Sequence, residues 1–283
     1  MKRASCLVCG SPYSASELPG LISCNQCTFT SADVELSSEE LKQLYTANYF
    51  AGEEYKNYIA DRNVIEKQFR LRLHKLLDHV PKPQRTHLFE IGCAYGFFLN
   101  VAREYFTTVE GIDISDDAIH HARQQLKLSV SSSDYLVYEH KQPPDVVCFW
   151  DTVEHLNRPD LYIEKAASAL KPGGVIAITT GDIGSFVARW RGAKWRQIHP
   201  PTHLHYFSRQ TLETLLDRNS MEVIYRGSDG MYRSVDTMAY IVLSIKRRQE
   251  RLYRFLKQTK LLDWDLYVNL HDILFFIARK REQ

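Results

Sequence analysis

No apolar run in the chain reaches the roughly 18 residues that a membrane-spanning helix needs. The opening stretch, MKRASCLVCG, lacks the apolar core of a secretory signal, so the expected compartment is the cytoplasm. Charge of one sign is also missing. The formal net charge is only +2, which makes no demand for nucleic acid. Internal repeats and low-complexity tracts are absent. What remains is an ordinary globular composition, 44% hydrophobic and 12% aromatic over 283 residues. That is enough for one large domain with an appendage, or for two modest domains.

Cysteine is scarce and unevenly placed. Four of the six cysteines form CLVC and CNQC, at Cys6, Cys9, Cys24 and Cys27. Two C-x-x-C pairs let four thiolates converge on one Zn²⁺. A redox dithiol fits less well, because such sites sit on a βαβ unit and none is present here. Four Cys ligands leave no open coordination position, so the expected zinc is structural. A segment this short has too little core to fold alone, and the metal is expected to supply the missing stability. The loop between the pairs, GSPYSASELPGLIS, carries no Lys or Arg to meet phosphates.

After residue 35 the pattern changes. Ser37, Ser38 and the following Glu residues read as a helix start. A longer helix is expected around NVIEKQFRLRLHKLLDHV, ending at PKPQ. From HLFEIG onward, strands and helices alternate. HLFEIG, TVEGIDI, LSVSSSD, PDVVCFWDTV, GGVIAITTGD, MEVIYRGS and DILFFIARK read as strands. A single long helix, TMAYIVLSIKRRQERLYRFLKQ, is expected before the last of them. Apolar strands alternating with helices predict an α/β fold: a Rossmann-like, doubly wound, seven-stranded, mostly parallel sheet with a small N-terminal zinc ribbon. The expected divisions are a ribbon at 1–35, a helical linker or cap at 36–84 and the sheet domain at 85–283. Helical insertions capping the substrate are expected near 183–207 and 236–268.

In such a sheet, ligands bind beyond the carboxyl ends of the strands. Gly92, Ala94 and Gly96 fall on the first strand-to-helix turn, where small residues let a ligand approach the backbone. The G-x-A-x-G spacing lacks the last glycine of a dinucleotide fingerprint, which disfavours NAD. Asp113, at the end of the second strand, suits the two hydroxyls of a ribose. Glu90, inside the first strand, needs donors or a cation. A turn without phosphate-binding character, a ribose acid and a carboxylate awaiting a cation together point to S-adenosylmethionine (SAM).

Over roughly residues 85–283 the chain resembles class I SAM-dependent methyltransferases. FEIGCAYG matches the first motif of that family, with Ala94 where glycine is more usual, and VEGIDIS matches the second. PDVVCFWDTVEHL and LKPGGVIAIT resemble the fourth-strand motif and the turn into the fifth strand. The resemblance implies SAM contacts from Glu90, Gly92, Ala94, Gly96, Asp113, Ile114 and Asp151, with Asp134 or Tyr135 bordering the adenine. The four-Cys ribbon, the tyrosine-rich YTANYFAGEEYKNY and an H-L-x-Y-F-S segment further resemble methyltransferases of sugar and surface-polysaccharide biosynthesis. Sugar C-methyltransferases share the ribbon, and by that likeness His203 lies where a base is expected. Pro201 and Thr202 depart from their pattern, and their further C-terminal domain is not seen here, so O-methylation of a glycan or similar hydroxylated metabolite is an equal expectation. Tyr49, Tyr55 and Tyr58 read either as a cover over the cofactor or as core.

Methyl transfer is an in-line displacement that often needs a base. His155, after the fourth strand, reads either as that base or as a bond to a neighbouring loop. His199, His203, His205 and Tyr206 cluster after the fifth strand without a helical pattern, and histidine titrates near neutral pH. Three rival readings stand beside this one. The basic stretch KRRQERLYRFLKQTK serves RNA in an RNA base methyltransferase, or a membrane surface carrying a lipid-linked substrate. A non-catalytic protein keeping the fold is the third. Nucleic acid is disfavoured, because the basic residues alternate with Leu252, Phe255 and Leu256 as on a solvated amphipathic helix.

Overall fold

The computed structural model describes residues 5–34, 36–44 and 58–281. The N-terminal segment forms three short antiparallel strands, β1 (Tyr13–Ala15), β2 (Leu21–Cys24) and β3 (Thr30–Ala32). Helix α1 (Ser38–Leu44) starts on a reciprocal cap. The Glu40 amide donates to the Ser37 hydroxyl, and the Ser37 amide donates to the Glu40 carboxylate. Tyr49 and Tyr55 lie outside the described residues. Helix α2 (Arg62–Leu77) follows, burying Leu73 and Leu76 with two polar residues, Gln68 and Arg72.

The alternating region then builds the main sheet. Its elements are β4 (His87–Ile91), α3 (Phe97–Ala102), β5 (Thr108–Asp113), α4 (Asp116–Leu126), β6 (Ser129–Ser132), β7 (Val146–Trp150), α5 (Pro159–Ala169) and β8 (Val175–Gly181). Helix α6 (Phe186–Arg191), the two-residue strand β9 (His205–Tyr206), α7 (Arg209–Arg218), β10 (Met221–Ser228), β11 (Met231–Ser234), α8 (Val235–Ala239), α9 (Glu250–Gln258), β12 (Asp265–Val268) and β13 (Ile273–Lys280) complete the chain. The seven strands run in the order β6-β5-β4-β7-β8-β13-β10. All neighbours from β6 to β8 are parallel, while β13 runs against both β8 and β10. This is the expected Rossmann-like, mostly parallel sheet.

Strand alternation divides the core between two faces. Val147 and Phe149 of β7 join Ile163, Ala166, Leu212 and Leu215 on one side. Val146, Cys148 and Trp150 join Leu73, Leu76, Phe98 and Ile119 on the other. Strand order reverses at β4, which therefore opens a crevice at its carboxyl end.

Two expectations change. The single long helix is instead a helix–π-helix–helix hairpin, with α8 running into a π-helical stretch (Tyr240–Lys246) and α9 following a break at Arg248, whose φ is +54°. Asp236 closes the hairpin by accepting from the Tyr253 hydroxyl at 2.9 Å and from Lys257 Nζ at 3.0 Å. These tertiary bonds outweigh a local pattern that favours continuity. Only Tyr253 of α9 is buried, and Leu252 and Phe255 face outward. The hairpin is carried on a two-stranded ribbon, β11 with β12, that the sequence pattern did not announce. No described helix is long and apolar enough to cross a membrane.

The second change concerns the ribbon. β3 pairs with β9, and Tyr13, Ile22 and Phe29 share one apolar cluster with Phe207, Leu212 and Leu215. The segment is thus packed into the main body rather than appended to it. His205, read from sequence as a candidate base, belongs to this junction: Nδ1 lies 3.0 Å from Ser31 Oγ, and the ring stacks on Phe29 at 5.6 Å. Replacing it, as His205→Ala, removes a buried hydrogen bond and a stacked ring, and should cost about 2 kcal/mol. Urea unfolding measures this through the midpoint. An unshifted midpoint would mean that the β3–β9 junction contributes no stability.

Candidate active site and its cofactor crevice

A cavity of about 350 Å³ opens at the carboxyl ends of β4, β5 and β7, a size typical of small-molecule sites. Glu90, Gly92, Ala94, Asp113, Ile114, Tyr135, Asp151, His155 and His203 all line it, as does Tyr58. Gly96, Asp134, His205 and Tyr206 do not. Asp134 is instead an N-cap, accepting from the Leu136 amide at 2.8 Å and from the Tyr162 hydroxyl at 2.5 Å. Tyr206 is buried beside Trp195 and donates its hydroxyl to the His203 carbonyl at 3.1 Å.

The turn after β4 is small for reasons internal to the protein. Gly92 and Gly96 both have φ of +77°, where a side chain is strained. A Cβ on Gly92 would lie 2.6 Å from Thr152 Cγ2, and one on Gly96 would lie 2.6 Å from Leu128 Cδ1. Their smallness therefore serves packing within the chain, and the amides of the turn remain close to the cavity. Ala94 sits at φ +44°. Glycine suits this position because of its backbone freedom, beyond its size.

The Asp113 carboxylate is held by the turn it faces. Oδ2 accepts from the Ala94 amide at 2.8 Å and Oδ1 from the Ser115 amide at 2.9 Å. Burial raises its pKa, and the backbone amides around it oppose that rise. Glu90 is more isolated. It is 2% exposed, and its Oε2 has no hydrogen-bond partner. Burial, followed by the nearby Asp113, holds its carboxyl well above the usual range.

Helix α2 supplies the opposite wall. The Arg72 guanidinium lies 2.8 Å from Asp151 Oδ2 and 2.6 Å from Asp229 Oδ2, and it rests over the Trp150 ring. Burial opposes its charge, but the two carboxylates more than compensate and raise its pKa. Gln68 Nε2, one turn earlier, donates to both Asp229 oxygens and to the Gly230 carbonyl.

Beyond β7 the residues Glu154, His155 and His203 converge, with ligand-type atoms all within 4.8 Å of one another. Thr180 Oγ1 donates to Glu154 Oε2 at 2.9 Å, and His155 Nδ1 donates to the Thr202 carbonyl at 2.8 Å. Burial and then Asp151 push Glu154 up to about 8. Burial lowers His155 to about 4 and puts His203 well below its ordinary value. The lowered pKa makes each imidazole a weaker base than free histidine.

These features agree with what known proteins show. A family model described as a methyltransferase domain matches residues 61–225. The chain belongs to the class I SAM-dependent methyltransferase family. This methyltransferase is 26% identical over 206 residues to the mitochondrial ubiquinone biosynthesis O-methyltransferase of Dictyostelium discoideum, covering 65% of this chain and 62% of that protein. It is 28% identical over 141 residues to the ubiquinone biosynthesis O-methyltransferase of Caulobacter sp. (strain K31), covering 42% of this chain and 56% of that one. The chain thus spans less than two thirds of the length of these relatives. Its fold matches a SAM-dependent methyltransferase from Archaeoglobus fulgidus with a TM-score of 0.53 at 18% identity, covering 79% and 99% of the two chains. It also matches the magnesium protoporphyrin IX methyltransferase of Synechocystis PCC 6803 with bound SAH, with a TM-score of 0.52 at 11% identity, covering 85% and 97%.

Several cavity residues escaped the sequence reading. Gln68 and Arg72 stand four apart on the buried stripe of α2, and polar residues on such a stripe were the available signal. Glu154 was overlooked beside His155, although a carboxylate just past an apolar strand is as unusual there as at Glu90. Tyr162 carries no distinguishing pattern. The backbone at Ala94 gives a direct test. Ala94→Gly relieves the left-handed strain against a smaller entropic cost, so stability should rise by about 0.5–1 kcal/mol. Thermal unfolding at matched pH reads the change, and a lower midpoint would contradict the φ assigned to Ala94.

Proposed function

We propose that this methyltransferase moves the SAM methyl group to a hydroxyl of a small metabolite, with a sugar or glycan precursor as the favoured acceptor. The observation that carries the reading is Glu90: a buried carboxylate oxygen without a partner, facing a crevice whose far lip is Asp113. A SAM ammonium or sulfonium would give Glu90 its missing cation. Each Asp113 oxygen accepts one amide bond and keeps a lone pair for a ribose hydroxyl. Gly92, Ala94 and Ile114 would lie along the adenosyl moiety, with Tyr135 at the base. Bound SAM supplies an electrophilic methyl on a leaving thioether. The protein aligns it and excludes water, and His155 and His203 line the acceptor side of the same cavity.

The choice of a hydroxyl is supported by the O-methyltransferases named among the relatives. RNA is less well supported, because the ribbon loop has no cation to meet phosphates. Incubation with methyl-labelled SAM and fractionated cell extract tests the reading. Label is expected in small hydroxylated metabolites, and label confined to RNA would overturn it.

Calorimetry tests the crevice itself. Asp113→Ala should weaken SAM binding at least tenfold, or about 1.4 kcal/mol, and an affinity within twofold would remove the ribose from Asp113. Glu90, whose carboxyl burial holds above its ordinary pKa, should ionise more readily beside the bound cation. Binding then releases a proton at pH values below that raised pKa, so affinity should rise with pH there. Buffers of different ionisation enthalpy should show that release in the native protein and not in Glu90→Gln. Equal release in both would clear Glu90 of the role.

The four N-terminal cysteines fit a zinc ion. Cys6 and Cys27 sulfurs lie 3.5 Å apart, Cys9 and Cys24 sulfurs 3.4 Å, and all four fall within 4.8 Å of one another. Tetrahedral ligands on Zn–S bonds of about 2.3 Å stand about 3.8 Å apart. Zinc there would brace the ribbon, and with it β3 and β9. Elemental analysis should find one zinc per chain, lost in Cys24→Ser together with thermal stability. Purified protein with no zinc and full stability would refute the assignment.

A further inference from the structure

We infer that Arg196 and Arg233 form an oxyanion clamp at the acceptor end of the cavity, so that the hydroxylated acceptor carries a phosphate or diphosphate group. The inference names the acceptor class of the proposed methyl transfer and rests on that reading.

Charge is unevenly spread around the cavity wall. The acids Glu90 and Asp113 stand on β4 and β5. Three arginines line the same cavity: Arg72, Arg196 and Arg233. Arg72 is committed to Asp151 and Asp229. The other two come from the opposite side of the sheet. Arg196 lies in the loop between α6 and β9, and Arg233 lies on β11, which follows the edge strand β10. Their anchors belong to the half of the sheet beyond β7, whereas Asp113 belongs to the half that holds β5 and β6. The acids and these two cations therefore mark different ends of one cavity.

Geometry brings the two guanidinium groups together. Met231 and Arg233 are two residues apart on β11 and share one face of it. Arg233 Nη2 lies 3.6 Å from Met231 Sδ, and Arg196 Nη1 reaches the same atom at 3.9 Å. The two nitrogens thus stand at most about 7.5 Å apart, within the roughly 8 Å that one phosphate spans when it bridges two N–H donors at ordinary lengths. Neither group is unpaired. Arg196 Nη2 donates to the buried Asp272 at 2.8 Å, which also accepts from Trp195 Nε1 at 2.9 Å, and Arg233 has further contacts. A guanidinium carries five N–H donors, and a thioether is a weak acceptor, so the edges turned toward Met231 suit an oxyanion.

The chemistry favours phosphate over carboxylate. Two like charges held this close repel each other, and an anion between them removes that cost. A phosphate ester carries nearly two negative charges and three outer oxygens near neutral pH, enough to meet two separate guanidinium groups, whereas one carboxylate is matched by a single fork. The Asp272 contact holds the Arg196 fork in place before any ligand arrives. An acceptor anchored there extends along the cavity toward Glu154 and His203, so binding far from the reacting oxygen aligns that oxygen with the methyl donor.

The test is calorimetry on the full zinc-loaded chain in excess SAH, titrated with inorganic pyrophosphate and, separately, with glucuronate. Pyrophosphate is expected to bind once per chain and more tightly than glucuronate. Arg233→Gln should weaken it at least tenfold while keeping the native thermal transition and SAM affinity. Arg196→Lys, which keeps a charge beside Asp272 but loses the fork, should weaken it at least threefold. Arg251→Gln, on the exposed side of α9 and outside the cavity, should bind as the native chain does. No pyrophosphate binding by the native chain, or equal binding by Arg233→Gln, would overturn the clamp. So would an equal loss in Arg251→Gln, which puts the anion on the basic hairpin, or a parallel loss of SAM affinity in Arg233→Gln, which gives the arginine to the cofactor's own carboxylate. Tighter binding of glucuronate would overturn the phosphate. SAM affinity of the native chain reports separately on the underlying reading: a chain that takes pyrophosphate but not SAM refutes methyl transfer and leaves the clamp.

Discussion

The Arg72 guanidinium is the contact on which the cavity depends. It joins three parts of the chain that are far apart in sequence: α2, Asp151 at the end of β7, and Asp229 between β10 and β11. Asp229 is itself buried, and Gln68 from the same helix adds two bonds to it. A buried charge is tolerable only when its partners are complete, and here each group is the other's condition for burial. The consequence is geometric. With Arg72 in place, α2 becomes a wall of the cavity, and the β11–β12 ribbon is fixed beside it through the Tyr232 amide, which donates to Gln68 Oε1 at 3.2 Å.

That dependence explains what was legible in the sequence and what was not. Strands β4, β7 and β8 announce themselves because both faces of the sheet are covered there, which buries every residue and makes them mainly apolar. The turn at Gly92–Gly96 and the acid at Asp113 follow from topology, since a doubly wound sheet opens its crevice at one predictable place. Arg72 and Asp229 lie 157 residues apart, and no local period links them. The same limit hid β9. Two residues have no periodicity to read, and β9 exists because β3 arrives to pair with it. The π-helical break before α9 fails for the converse reason. Local propensity there favours one helix, and the Asp236 clasp overrides it.

The histidine-rich segment shows how far a residue's type falls short of its role. His203 and His205 are two residues apart, both buried, and read alike as bases. His203 faces the cavity among other imidazoles, whereas His205 stacks on Phe29 of the ribbon. Between them the amides of Leu204 and His205 converge on the Glu154 carbonyl. One short strand therefore carries the ribbon on one side and a wall of the cavity on the other. Whatever stiffens the ribbon also stiffens the position of His203, so the four cysteines bear on the site without touching it.

The charge balance of the cavity completes the argument. Glu90 and Glu154 are both nearly fully buried, and both carboxyls are pushed up chiefly by burial. Arg72 lowers each of them, yet its guanidinium is already committed to Asp151 and Asp229. A protein that needed only neutral walls here would gain by replacing either glutamate with an apolar residue, since a buried carboxyl without a full set of partners costs stability. Retaining Glu90 makes sense if it meets positive charge in the working complex, the sulfonium or ammonium of the cofactor.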